Sequence, residues 1–164
     1  ETDIPSLVEE IMIETGISAD SLTLEITEGI AMKNVDHNVR MLEELRALGL
    51  NISIDDFGTG YSSLAYLKRF PLNTLKIDRS FINDITDNTD DREITKAIIA
   101  MGQNLNLKVL AEGVETQQQL DILRSSGCDY IQGYFYSRPL PATEISPFLK
   151  NKSLINEGQL ELIA

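Results

Sequence analysis

Two periods alternate along this chain, and that alternation limits its folds more than any other feature. Segments rich in β-branched and aliphatic residues read as strands: Leu22 to Glu28, Asn51 to Ile54, Leu72 to Asp78, Lys108 to Glu115 and Asp129 to Phe135. Between them the apolar residues fall at helical spacing. Helices are predicted over Glu1 to Thr15, Val35 to Leu48, Ser62 to Phe70, Thr116 to about Ser126 and Thr143 to Lys150, with another carrying Ile94, Ile98, Met101 and Leu105 on one face. Pro5 suits a first turn, while Gly16 and Gly49 suit helix ends. Thr116-Gln117-Gln118-Gln119 is a capping-box pattern. Strands and helices in this order imply a parallel sheet with right-handed crossovers. An open doubly wound sheet and a (β/α) barrel both satisfy it.

Polar residues recur near successive strand ends: Glu25, Asp55 and Asp56, Lys76, Glu112, and Gln132. In a barrel such ends meet at one rim, where active sites are built. The α/β expectation is therefore a TIM-type (β/α) barrel. A complete one usually takes about 250 residues, and five strands in 164 residues fall short of eight. The expected architecture is an incomplete barrel missing its N-terminal strands. Residues 1–150 form its body, and 151–164 a tail.

At the centre stands Ile54-Asp55-Asp56-Phe57-Gly58-Thr59-Gly60. Two adjacent carboxylates at a strand end repel unless a cation offsets them. Gly58 and Gly60 permit a tight turn with no Cβ in the way of a ligand. Taken alone, the motif is equally compatible with a solvated loop. With Glu25 and Glu112 it forms an oxygen-only donor set, without His or Cys, which suits Mg²⁺ or Mn²⁺ better than Zn²⁺. Lys76, set in an apolar strand, is suited to orienting water or neutralising phosphoryl charge, and equally to a plain ion pair. Glu112 reads as ligand or base, or as a solvated rim residue. His37 reads as surface and Cys128 as a small buried group. Tyr61, Tyr66, Tyr134 and Tyr136 suit base stacking or packing.

Composition narrows the partners. A net charge of −12 disfavours binding DNA or RNA polymers through a broad basic surface. One cysteine excludes an intrachain disulfide and fits a reducing cytoplasm. No apolar run has the length of a membrane span, and no signal-peptide pattern opens the chain.

Five motifs together resemble the EAL family of cyclic di-GMP phosphodiesterases. They are Leu24-Glu25-Ile26-Thr27-Glu28, Asp55-Asp56-Phe57-Gly58-Thr59-Gly60, Leu75-Lys76-Ile77-Asp78, Ala111-Glu112-Gly113-Val114-Glu115 and Gln132-Gly133-Tyr134. The resemblance implies a (β/α)₈-type barrel with one strand reversed, two Mg²⁺ or Mn²⁺ ions, and hydrolysis of cyclic di-GMP to linear pGpG. It implies Glu25 on the first metal, Asp55 bridging both and Asp56 on the second. Lys76 would place the attacking water, Glu112 would act as base or ligand, and Gln132 would support the metal through water. Glu28 would anchor the loop of Gly58 and Gly60, a loop tied in the family to dimerisation, and Glu115 would support the rim. The Glu-Ala-Leu signature with its arginine, and an asparagine ligand on the following strand, are absent from this sequence. The chain thus reads as the C-terminal portion of such a domain, with an incomplete site when isolated and a tendency to associate between chains. The parent is expected to be cytoplasmic or membrane-tethered, behind sensory or cyclase domains. The reading from another functional class is a non-catalytic cyclic di-GMP receptor or interaction module.

Overall fold

The computed structural model describes residues 3–60 and 64–150, and the backbone of 161–162. The chain divides into two compact units, Glu1–Leu75 and Lys76–Ala164. The expected helix start at Ser62, Tyr61, and most of the tail lie outside the described residues.

The first unit opens with α1, Ile4–Thr15, capped by the Asp3 side chain and closed by Gly16 at φ 69°. Val8 and Met12 are half-buried, whereas Leu7 and Ile11, expected on the same covered face, are exposed. Strand β1, Thr23–Thr27, leads into a four-residue helix α2, Glu28–Ala31. Glu28 therefore opens a helix rather than ending a strand. Helix α3, Val35–Ala47, buries Val39, Leu42 and Leu45 and packs on β2, Asn51–Phe57. Strands β1 and β2 are parallel, with Glu25 opposite Ser53 and Thr27 opposite Asp55. Residues two apart share a face, so Ile26, Ile52 and Ile54 lie on one face, all buried. Glu25, Thr27, Ser53 and Asp55 lie on the other. Helix α4, Leu64–Leu67, follows.

Strand β3, Thr74–Ile77, straddles the boundary between the units. The second unit continues with α5, Arg79–Asn83, a short helix that the sequence pattern does not announce. Helix α6 spans Thr89–Asn104. Its buried stripe is Thr95, Ile98, Ile99 and Gly102, while Ile94, expected inside, is 42% exposed. The stripe turns because Gly102 lies close to strand β4, Lys108–Glu112: a Cβ there would sit 2.4 Å from Val109 Cγ2. Helix α7, Gln117–Ser125, carries the full capping box between Thr116 and Gln119. Strand β5, Tyr130–Gln132, pairs in parallel with β4, and the short β6, Glu161–Leu162, pairs in parallel with β5. Helix α8 spans Ala142–Lys150. Both β4 and β5 are shorter than their apolar content suggests. The backbone leaves β4 at Gly113, φ 74°, and leaves β5 at Gly133, where Val114 packs against it.

Candidate functional site

In the first unit the acidic pair does not lie beyond the strand. Asp55 and Asp56 belong to β2, which runs on to Phe57. Regular strand geometry would send these neighbours to opposite faces. Asp56 has φ 54°, the left-handed region that Asp enters more readily than most residues. The alternation breaks there, and the two residues each bring a carboxylate oxygen within 4.8 Å of the other's. Two such oxygens are a ready pair of ligands for a hard divalent cation. Glu25 sits two positions before Thr27, the register partner of Asp55, on the same face of β1.

Beyond Phe57 the glycine turn folds around Glu28, which is only 2% exposed. Its Oε2 accepts the backbone N–H of Gly58 at 2.9 Å and of Gly60 at 3.3 Å. Gly58 has φ 100°, and a Cβ on Gly60 would lie 2.7 Å from Glu28 Oε1. The Thr59 hydroxyl donates to the Asp56 carbonyl at 2.9 Å, tying the turn to the irregular residue.

In the second unit Lys76 and Glu112 meet. The Lys76 ammonium lies 2.7 Å from Glu112 Oε1, with the two side chains 6% and 19% exposed. The ion pair weighed for Lys76 is thus the arrangement adopted. Gln132 stands opposite Glu112 in the β4–β5 register and is exposed. The loops leaving these strands interlock. The Val114 N–H donates to the Gln132 carbonyl at 3.1 Å, and the Phe135 N–H donates to the Val114 carbonyl at 2.9 Å. A Cβ on Gly133 would lie 2.1 Å from the Val114 oxygen. Glu115, expected on a strand, lies in the turn before α7, where its N–H donates to Gln119 Oε1 at 2.7 Å.

The remaining candidates separate cleanly. His37 is exposed on the first turn of α3. Cys128 is buried, its thiol pushed up to about 12 chiefly by that burial. Tyr66 and Tyr134 are exposed, and the Arg138 guanidinium lies 4.7 Å from the Tyr134 ring centre. Sequence reasoning missed Gln119 as more than a cap, and, though it named Gly133 within a motif, missed its packing against Val114. Their partners are remote in sequence, so no local pattern reveals them.

Known proteins give this geometry a context. The EAL domain family model matches residues 1–139. The chain is 55% identical over 148 residues to cyclic di-GMP phosphodiesterase NbdA of Pseudomonas aeruginosa, covering 88% of this chain and 19% of NbdA. The PaMucR phosphodiesterase, solved in complex with c-di-GMP, superposes with a TM-score of 0.83 at 44% identity, covering 88% of this chain and 62% of that one. Klebsiella pneumoniae BlrP1, solved with manganese and cy-diGMP, gives 0.78 at 32%, covering 85% and 36%. The chain therefore spans about a fifth of the curated relative's length. Its α/β fold is that of the EAL TIM-barrel domains. With most of its residues matched and its motifs in place, the chain belongs to the EAL domain family.

Proposed function

We propose that the domain represented by this chain is a cyclic di-GMP-specific phosphodiesterase releasing linear pGpG. Family membership supports this, as do the activity in NbdA's name and the c-di-GMP bound to PaMucR. The observation that carries it is the Asp55–Asp56 pair, whose oxygens converge because a left-handed residue interrupts the strand. Unusual backbone of this kind persists where the surrounding structure enforces it, often at functional sites.

The donor chemistry fits hard divalent cations. Glu25, Asp55, Asp56 and Glu112 offer carboxylate oxygens and Gln132 an amide oxygen, the set suited to Mg²⁺ or Mn²⁺. Two such ions would lower the pKa of a water and neutralise charge on the phosphoryl oxygens. In this reading Glu25 would serve the first ion, Asp55 both and Asp56 the second, with Gln132 acting through water. Lys76 orients the attacking water, and Glu112 takes its proton or adds a ligand. Glu28, through Gly58 and Gly60, keeps the turn after Asp56 closed, and Glu115 supports the rim.

The chain spans only 19% of NbdA, a relative with much additional sequence. We propose sensory or cyclase domains upstream, a cytoplasmic position for the domain in a parent that is free or membrane-tethered, and assembly as a homodimer or another association between chains. No described helix is long and apolar enough to cross a membrane.

The test is chromatographic: the full-length protein that carries this domain, with cyclic di-GMP and Mn²⁺, is followed for pGpG against an EDTA control. Metal-dependent product is the expected result. Nucleotide binding in EDTA with no product under either condition would replace hydrolysis with a receptor role. Asp55→Asn is expected to lower kcat by roughly a hundred- to a thousandfold, and wild-type turnover would remove Asp55 from the bridging position.

A further inference from the structure

Gln119 is 6% exposed, yet its side chain makes contacts that a helix cap alone does not need. Its Oε1 accepts the backbone N–H of Glu115 at 2.7 Å and of Thr116 at 2.9 Å. These bonds complete the capping box of α7. Its Nε2 also donates to the carbonyls of Ile82 at 3.0 Å and Asn83 at 3.3 Å, 37 and 36 residues away. Those carbonyls belong to the end of α5, the helix that begins two residues after β3 and is capped by Asp78. Glu115 lies three residues beyond Glu112, the end of β4. One amide thus fastens the segment leaving Lys76 to the segment leaving Glu112. The same segments close together at Gly113, where a Cβ would lie 2.7 Å from Arg79 Cβ.

We propose that Gln119 is a positioning residue. It fixes the loops after β3 and β4 so that the Lys76 ammonium and the Glu112 carboxylate keep their contact. Its effect on turnover rests on the phosphodiesterase reading above, whereas its effect on the loops does not. The role needs a primary amide, because only that group offers an acceptor to two N–H groups and donors to two carbonyls.

Two substitutions, made in the full-length protein that carries this domain, separate the halves of this arrangement. Gln119→Glu retains the acceptor and suits a capping box, but has no N–H for Ile82 and Asn83. Gln119→Met retains the bulk and loses both halves. Hydrogen–deuterium exchange is read over residues 79–84 and over the first turn of α7, beside kcat and KM for cyclic di-GMP with Mn²⁺. In Gln119→Glu, α7 is expected to stay protected while residues 79–84 exchange roughly tenfold faster. Its kcat is expected to fall about tenfold with KM within about twofold. Gln119→Met should show the same loss and also expose the first turn of α7. Wild-type exchange over 79–84 in both variants would overturn the proposal. So would a fall in kcat that only follows the folded fraction in a thermal melt. If the wild-type protein forms no pGpG, the phosphodiesterase reading fails, and exchange over 79–84 alone decides the positioning role.

Discussion

The two units hold charged groups near strand ends by different means. In the first, the buried Glu28 carboxylate takes its bonds from main-chain N–H groups of Gly58 and Gly60. In the second, Lys76 takes a carboxylate from a neighbouring strand, and an amide side chain braces the loops behind the pair. A main-chain cradle needs residues without Cβ but little support from elsewhere. The side-chain pair also needs a glycine beside it, Gly113, and in addition depends on remote groups to set its distance. The first arrangement is vulnerable within its own loop, and the second also at positions far from the charges.

The largest expected effect tests that contrast at two glycines. A Cβ at Gly133 would lie 2.1 Å from the Val114 oxygen and 2.4 Å from its nitrogen, both main-chain atoms that cannot rotate away. Gly133→Ala is expected to cost about 4 kcal/mol or more and to unfold the second unit. At Gly60 the obstacle is the Glu28 carboxylate, at 2.7 Å, on a side chain that can swing. Gly60→Ala is expected to cost about 1–3 kcal/mol. Soluble yield and thermal melts of both variants check the order, and a more damaging Gly60→Ala would break the contrast.

Next in size is Glu28→Ala, which removes the acceptor from two loop N–H groups. The expected loss is about 2 kcal/mol, read as a shift in the urea midpoint. Gly58 and Gly60 amides should exchange faster while residues of the second unit do not. Unchanged exchange at Gly58 would show that the turn holds itself closed.

This difference also explains what was legible in the sequence. The strands carrying Ile52, Ile54, Val109 and Leu110 could be read because their side chains stay in the core. The Thr116–Gln119 box was readable because a cap is local. The α/β class and the motif order followed from such local signals. Helices α2 and α5 have four and five residues, too short for a helical period to show. The Asp55–Asp56 pair looked like loop chemistry, and only the backbone reveals that the strand continues through it. The sequence named Lys76 and Glu112 as chemically suited, but their 2.7 Å contact depends on Gln119 and Gly113, whose partners lie far along the chain.

A third prediction assigns a pH signal to the second unit, which holds the only cysteine. Burial raises the Cys128 thiol from 9.0 to about 12. The folded chain keeps its proton where the unfolded chain loses it. The stabilising contribution is thus complete below pH 9.0 and is lost as pH rises from there towards about 12. The slope from this one group is at most about 1.4 kcal/mol per pH unit. Urea unfolding at pH 8, 9 and 10 measures it, and Cys128→Ala should flatten the curve above pH 9. An unchanged slope would assign the loss to other groups.

The smallest effect separates helix stability from loop positioning. Thr116→Ala removes the hydroxyl that accepts the Gln119 N–H at 3.2 Å, but leaves all four bonds of the Gln119 side chain. It is expected to cost about 1 kcal/mol, with kcat and KM within about twofold of wild type. Gln119→Glu does the reverse, keeping the cap and releasing α5. If the second unit relies on remote bracing, Gln119→Glu should lose about tenfold in kcat while Thr116→Ala stays within about twofold, beyond any difference in their folded fractions. Stability and turnover falling together in both would mean that α7 matters only as a helix, and the contrast between the units would reduce to their local loops.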